Sequence, residues 1–215
     1  MNIIEMFGLP GAGKTTITSC LDFTKNHNTR LITPISVTLF NSICMAKTIF
    51  LRMILKSPLI ALQFITMRQS QRLLLKLGLR MSAHNKQKLT NDPRDFFLAD
   101  SGVLMPVISA VAVEGWNPKT PWVLLLIKCI NLPTTAFCID VDSFVAYERY
   151  VKREGKRSIS VEQFISAYQL IQLLKKELSL QGVNVISFNN DSQFNCESFV
   201  SKWERLHNNH DHPNA

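Results

Sequence analysis

The sequence predicts a three-layer α/β fold in which helices cover both faces of a parallel sheet. Short apolar segments typical of buried strands alternate with longer segments that have helical spacing. A glycine-rich turn joins the first predicted strand to the first predicted helix, and a polar side chain lies at the end of each of the other three predicted strands. A length of 215 residues fits one domain, so we expect a single unit over 1–215 with an inserted helical region at about 36–90.

The first predicted strand is "NIIEMF", residues 2–7, and it ends at Gly8. Helical spacing begins at Lys14 with "KTTITSCLDF". The order is therefore strand, glycine-rich turn, helix.

The inserted region is predicted to hold two long helices, 36–56 and 59–80, because Pro58 cannot continue a helix and keeps Ser57 out of the helical conformation. Lysines and arginines interrupt every apolar run in both helices. We predict no transmembrane span here, since a span needs roughly 20 mostly apolar residues.

Three further strands are predicted in the remainder of the chain. The helix after the third strand is expected to be capped by Asp142, and the helix before the last strand has a capping box, Ser160 with Gln163. Gly182 marks the end of that last helix. The predicted strands are 95–100, 134–141 and 182–188, which end near Asp100, Asp140 and Asn189.

The turn after the first strand, "GLPGAGKTT", matches G-x-x-x-x-G-K-[ST] without a mismatch. Its glycines leave the backbone N–H groups open to a phosphate, Lys14 can reach the β- and γ-phosphates, and the Thr15 hydroxyl can ligate Mg²⁺. This motif in this context predicts a P-loop NTPase fold that binds Mg-ATP. The predicted nucleotide-binding residues are Gly8, Leu9, Pro10, Gly11, Ala12, Gly13, Lys14, Thr15 and Thr16.

Asp100 is the second candidate. A carboxylate at the end of a neighbouring parallel strand lies beside the phosphate loop, where it can hold Mg²⁺ or accept the acceptor's proton. An N-cap for the helix that begins near Val103 is the structural alternative.

The segment "ERYVKREGKRS" supplies three arginines, Arg149, Arg153 and Arg157. Guanidinium groups over the γ-phosphate stabilise the charge that redistributes during phosphoryl transfer. We predict a basic lid at about 149–160 with these three arginines as catalytic residues, although basic residues also simply complement a helix C-terminus.

Charge is unevenly distributed along the chain. Of the net +8, residues 1–91 hold twelve basic against two acidic side chains, and no acid occurs between Asp22 and Asp92. Arg68, Arg72, Lys76 and Arg80 form a basic stripe at four-residue spacing. Three interpretations stay open: a solvated face, a site for an anionic acceptor, or docking on an anionic membrane. Nucleic acid is not expected, because few aromatic residues accompany the charge.

These motifs resemble those of the P-loop small-molecule kinases, in the group of thymidylate kinases and nucleoside monophosphate kinases. The phosphate loop, the strand that ends in Asp100 and the segment 140–158 follow the family's order and spacing. The resemblance implies that the arginines belong to the family's lid, and that Asn189 and Asn190 lie in the loop that contacts adenine. Homodimers are compatible with it.

The chain differs from the family at the end of the strand near Asp100, where thymidylate kinases select their substrate. Thymidylate kinases have an Asp-Arg pair near this strand end, whereas this chain has Ser101 and Gly102. We therefore expect phosphoryl transfer from Mg-ATP to a small nucleotide, nucleoside or sugar-type acceptor. The alternative is a nucleotide-dependent ATPase switch or a regulatory ATP-binding protein that acts on a protein or membrane partner.

The five cysteines form no CxxC pair, and the N-terminus lacks a signal-like apolar segment. We expect reduced thiols and a cytoplasmic protein. The polar segment 207–215 is expected to be a disordered tail.

Overall fold

A computed structural model of the chain describes residues 2–21, 29–31, 39–67, 69–90, 96–99, 102–119, 121–155, 159–190, 197, 199–201 and 203–204. Its centre is a parallel sheet of five strands, which confirms the predicted α/β class. The strands are β1 (Asn2–Gly8), β2 (Thr29–Leu31), β3 (Phe96–Ala99), β4 (Thr135–Asp140) and β5 (Asn184–Asn189).

Eight helices have defined bounds in the described part of the chain. They are α1 (Lys14–Ser19), α2 (Leu39–Lys56), α3 (Pro58–Thr66), α4 (Ser70–Thr90), α5 (Met105–Ala112), α6 (Pro121–Ile127), α7 (Ser143–Glu154) and α8 (Val161–Leu180).

The strand order is β2-β3-β1-β4-β5, so β1 lies at the centre with β3 on one side and β4 on the other. Glu5 of β1 is opposite Ala99 of β3, and Gly8 is opposite Ile139 of β4. Every residue of β1 from Ile3 to Gly8 is buried. Because successive side chains of a strand point to opposite faces, this burial means that both faces of the central strand are covered. The phosphate loop therefore begins at the middle of the sheet's carboxyl edge.

The four strands predicted from the sequence are confirmed, with small differences at their ends. The three-residue strand β2 was not predicted, because such a short segment has no periodicity of its own. Its register with β3 places Leu31 opposite Leu98, at the edge of the sheet.

The inserted helical region differs from the prediction. The expected helix 59–80 is wrong, because the chain breaks at Met67, which has an extended backbone (φ −71°, ψ 130°). Both α3 and α4 pack on α2, but the break lets α3 also contact α6 whereas α4 contacts α5. No proline or glycine marks this break, so the sequence pattern did not reveal it.

The packing of α4 on α2 depends on Gly78. A Cβ atom at this position would lie 2.2 Å from the Ser42 carbonyl oxygen and 2.9 Å from the Ala46 nitrogen, both backbone atoms of α2. The two helices therefore approach backbone to backbone, and this close contact fixes the position of α4 beside the sheet.

The predicted helix signals in the second half of the chain are confirmed. The Asp142 carboxylate accepts from the N–H groups of Phe144 (2.8 Å) and Val145 (3.2 Å), so it caps α7. The Gln163 side chain accepts from the Ser160 N–H at 2.9 Å at the start of α8. After α8 the chain turns at Gly182, whose φ is +80°.

The core continues beyond the sheet in two aromatic groups. Phe64 of α3 contacts Trp122 of α6, with ring centroids 5.4 Å apart. Phe137 of β4 contacts Phe199 and Trp203, with ring centroids 5.5 and 5.8 Å apart.

The predicted tail, 207–215, lies outside the described residues. Within the described segments, no helix has the length and apolar character to cross a bilayer.

Candidate active site

The phosphate loop has the backbone that its glycines predict. Gly11 (φ +86°) and Gly13 (φ +89°) adopt left-handed angles that favour glycine. A Cβ atom on Gly11 would lie 2.4 Å from the Ala146 carbonyl oxygen of α7. Glycine at this position therefore allows both the turn of the loop and its close contact with α7.

The Lys14 side chain folds over the loop that precedes it. Its Nζ donates to the carbonyl oxygens of Leu9 at 2.9 Å and Gly8 at 3.2 Å. Thr18 stabilises the start of the same helix, because its hydroxyl donates to the Lys14 carbonyl oxygen at 2.9 Å. The ammonium group is thus held at the mouth of the loop, within reach of an anion bound there.

A cavity of about 320 Å³ opens beside the loop. Thr15 and Thr16 are exposed to it, and α5 forms the opposite wall. Arg153 and Tyr150 reach it from α7. The lining residues are Pro10, Gly11, Gly13, Lys14, Thr15, Thr16, Met105, Ser109, Val113, Tyr150 and Arg153.

The three predicted lid arginines have different surroundings. Arg153 lines the cavity, lies 5.8 Å from the Tyr150 ring centroid and forms an ion pair with Glu154 at 2.9 Å. Arg149 instead donates to the Asn190 carbonyl oxygen at 3.1 Å. Arg157 lies outside the described residues. Of the two arginines in the described part of the chain, Arg153 is thus the one that lines the cavity beside the phosphate loop.

Asn190, predicted to be near adenine, braces the loop. Its side chain is buried, and Nδ2 donates to the Ala12 carbonyl oxygen at 2.7 Å. Asn189 lies in a separate cavity of about 560 Å³ next to Asp140 and Tyr168. The Asp140 carboxylate is held by Lys175 at 2.9 Å. The end of β5 is therefore tied to the phosphate loop through Asn190 and to α7 through Arg149.

Asp100 and Ser101 lie outside the described residues, so the proposed metal or base role of Asp100 stays a prediction.

A different carboxylate, Glu5, lies in the middle of β1. Its side chain is fully buried, and Oε1 accepts from the Leu104 N–H at 2.7 Å. Within the described residues Oε2 has no hydrogen-bond partner.

Burial raises the pKa of Glu5 from its ordinary value of 4.5 to about 8, against the opposing effects of the Leu104 and Val103 N–H groups and of Arg80. The chain leaves room for this carboxyl group at Gly102, where a Cβ atom would lie 2.1 Å from the Glu5 Cδ. Glu5 therefore connects the strand before the phosphate loop to the start of α5, which forms the far wall of the cavity.

A second cavity of about 260 Å³ lies between α4 and α5. Lys76 and Arg80 of α4 reach it, so two members of the predicted basic stripe converge there. Arg72 is exposed, and Arg68 lies outside the described residues. The cavity is lined by Lys76, Leu79, Arg80, Met105, Pro106 and Ser109, and it shares Met105 and Ser109 with the first cavity.

Several site residues had no signal in the sequence pattern. Ser109 and Met105 lie in an apolar helix and become neighbours of the loop only when α5 packs across the sheet's edge. Glu5 had one available signal, because it is the single acid in an otherwise apolar predicted strand. A carboxylate in a strand that is buried on both faces is costly unless hydrogen bonds or an opposite charge compensate it.

No family model matches the chain, and no curated protein sequence is similar to it. Solved structures are similar. A deoxyadenosine kinase from M. mycoides with the products dCMP and a flexible dCDP aligns with a TM-score of 0.56 at 14% identity, covering 96% of this chain and 99% of that one. The same kinase with dATP aligns at 0.53 and 16% identity, covering 97% and 100%.

A thymidylate kinase from Ehrlichia chaffeensis also aligns, with a TM-score of 0.53 at 16% identity, covering 95% of this chain and 97% of that one. The likeness spans the whole domain in each case, including the inserted helices. The chain thus has the fold of the P-loop nucleoside and nucleotide kinases.

Proposed function

We propose that this protein is a Mg-ATP-dependent kinase that phosphorylates a small acceptor of nucleotide, nucleoside or sugar type. The observation that supports this most strongly is the cavity in which the phosphate loop faces Arg153 on one side and α5 on the other. A loop alone can bind a nucleotide, whereas an arginine opposite the loop provides what phosphoryl transfer needs.

In this proposal the loop amides and Lys14 bind the phosphates of ATP. Mg²⁺ would be held by Thr15 and Asp100, and it would neutralise charge on the β- and γ-phosphates. Thr15 suits this role, because its side chain is exposed in the cavity wall. Arg153 stabilises charge on the transferring group, and Arg149 acts through its contact with Asn190.

The acceptor is proposed to bind in the second cavity. Lys76 and Arg80 bring positive charge to it, so an acceptor with a phosphate or carboxylate group is favoured. Met105 and Ser109 form the boundary between the two cavities. In this proposal, donor and acceptor lie on adjacent sides of α5.

The test is ADP formation from Mg-ATP, with and without pooled acceptors: nucleosides, nucleoside monophosphates, sugars and sugar phosphates. We expect one pool to stimulate turnover by the wild type and by the control Lys119→Ala, an exposed lysine away from both cavities. Lys14→Ala should lower this activity by a factor of about 10² or more.

Two results would contradict the proposal. Unchanged nucleotide affinity in Lys14→Ala would mean that the loop is not used for ATP. Slow turnover that no acceptor pool stimulates, but that Lys14→Ala abolishes, would favour the ATPase switch.

A further inference from the structure

The outer side of α2 and α3 exposes large apolar side chains. Phe40, Leu51 and Leu55 of α2 are 73%, 56% and 76% exposed, and Leu59 and Leu62 of α3 are 74% and 58% exposed. Single exposed leucines are ordinary, but a continuous group on neighbouring helices marks an interaction surface.

These side chains lie on one side of each helix. Phe40, Lys47, Leu51 and Leu55 recur at spacings of seven, four and four residues along α2, so they form a stripe opposite the buried Ala46, Ile49 and Met53. One side of α2 is therefore buried, whereas the other side exposes three large apolar side chains together with Lys47. In α3, Ala61 and Phe64 are buried whereas Leu59 and Leu62 face outward.

The two stripes meet at a short joint. A single residue, Ser57, separates α2 from α3, and Leu55 and Leu59 stand on either side of it as the two most exposed leucines of the group. We call the surface formed by Phe40, Lys47, Leu51, Leu55, Leu59 and Leu62 the outer apolar face.

Charge decides between the partners that such a face could take. Neither α2, α3 nor α4 contains an acidic residue, and Lys47 lies within the stripe. Two copies of this face in contact would bring two basic α2 helices together, and neither α2 nor the uncharged α3 has a carboxylate to compensate, which is unfavourable. An anionic bilayer surface accepts both features, since it solvates apolar side chains at headgroup depth and attracts lysine and arginine.

We propose that the outer apolar face docks this protein on an anionic membrane surface, with Leu55 and Leu59 inserted below the headgroups and Lys47 at their level. Since the described helices do not span a bilayer, the contact is peripheral. The proposal does not depend on the kinase activity, because neither cavity is lined by residues of this face.

The experiment is flotation of the full-length protein with vesicles of phosphatidylcholine alone or with about a third phosphatidylglycerol. The wild type should bind the anionic vesicles, and added salt should weaken binding. The double variant Leu55→Ser/Leu59→Ser should lower the partition coefficient by roughly tenfold or more, and Lys47→Ala by about fivefold.

Matched controls come from α8, which packs on α5, α7 and β5. Leu180 is 73% exposed and Lys176 is also exposed, so Leu180→Ser and Lys176→Ala should bind as the wild type does. Failure of the wild type to bind anionic vesicles would overturn the proposal, as would equal losses in the controls. Sedimentation of a wild-type dimer that Leu55→Ser/Leu59→Ser makes monomeric, without vesicle binding, would assign the face to a second copy instead.

Discussion

The two cavities beside α5 are built in different ways. The first is formed largely by consecutive residues of one loop, Pro10 to Thr16, whose backbone does much of the proposed binding. The second is formed by side chains of α4 and α5, which are about thirty residues apart in the chain and meet only through helix packing.

The proposed function assigns phosphate binding to the first cavity and acceptor choice to the second, and the two tasks need different kinds of groups. Backbone groups in a short loop recognise any triphosphate, so the same few residues suffice for many enzymes. Side chains on separate helices can recognise a particular acceptor, and their identity depends on how the helices pack. Four changes test whether the two cavities act as distinct sites, and they follow from the largest expected effect to the smallest.

Arg153→Ala is expected to lower kcat by about 10², because the proposed charge stabilisation acts only in the transition state. The KM for ATP should change by a few-fold at most. Steady-state kinetics with varied ATP measure both quantities, and the neighbouring exposed Lys152→Ala is the control. A rise in KM with unchanged kcat would show that Arg153 only holds nucleotide.

Gly78→Ala tests the packing that positions α4. The added methyl group meets two backbone atoms of α2, neither of which can rotate away. We expect a loss of about 2 kcal/mol in the free energy of unfolding, despite the better helix propensity of alanine. Urea denaturation measures this loss, with the exposed Gln71→Ala on the same helix as control. An unchanged or increased stability would contradict the close approach.

Lys76→Met tests by steady-state kinetics whether the two cavities bind different substrates. Lys76 forms a half-exposed ion pair with Glu114 at 3.0 Å, so its loss should cost little stability. We expect the KM for the acceptor to rise about tenfold and the KM for ATP to stay unchanged. Lys119→Met removes an exposed charge elsewhere and should alter neither constant. Equal effects on both substrates would mean that the cavities are not separate sites.

Glu5→Gln tests the buried carboxyl group of β1. The unfolded chain releases the Glu5 proton near pH 4.5, but the folded protein keeps it to about pH 8. The folded state therefore binds more protons in this range, and the free energy of unfolding should decrease as pH rises, by up to about 1.4 kcal/mol per pH unit.

Glutamine has the same shape and no charge, so Glu5→Gln should flatten this decrease. Urea denaturation at several pH values measures the slope, and the exposed Glu148→Gln is the control. If Glu5→Gln retained the wild-type slope, the dependence would belong to other groups.

The sequence predicted the phosphate loop and the helix caps more fully than the helices around the second cavity. Gly8 to Thr15 act through local backbone geometry, and Asp142 caps the helix that begins one residue later, so short-range patterns are sufficient for both. The break at Met67 depends on which helices α3 and α4 contact, and no local residue type marks it. Arg149 and Arg153 were equivalent by spacing, whereas packing directs the first to Asn190 and the second to the cavity.

The shared wall formed by Met105 and Ser109 has an evolutionary consequence. Because one helix borders both cavities, the distance between the proposed donor and acceptor sites is set by the scaffold and not by the acceptor. Side chains on the α4 side can then be exchanged without rebuilding the transfer geometry. In the proposed function, such a division would let the acceptor change by a few substitutions while the phosphate loop is retained.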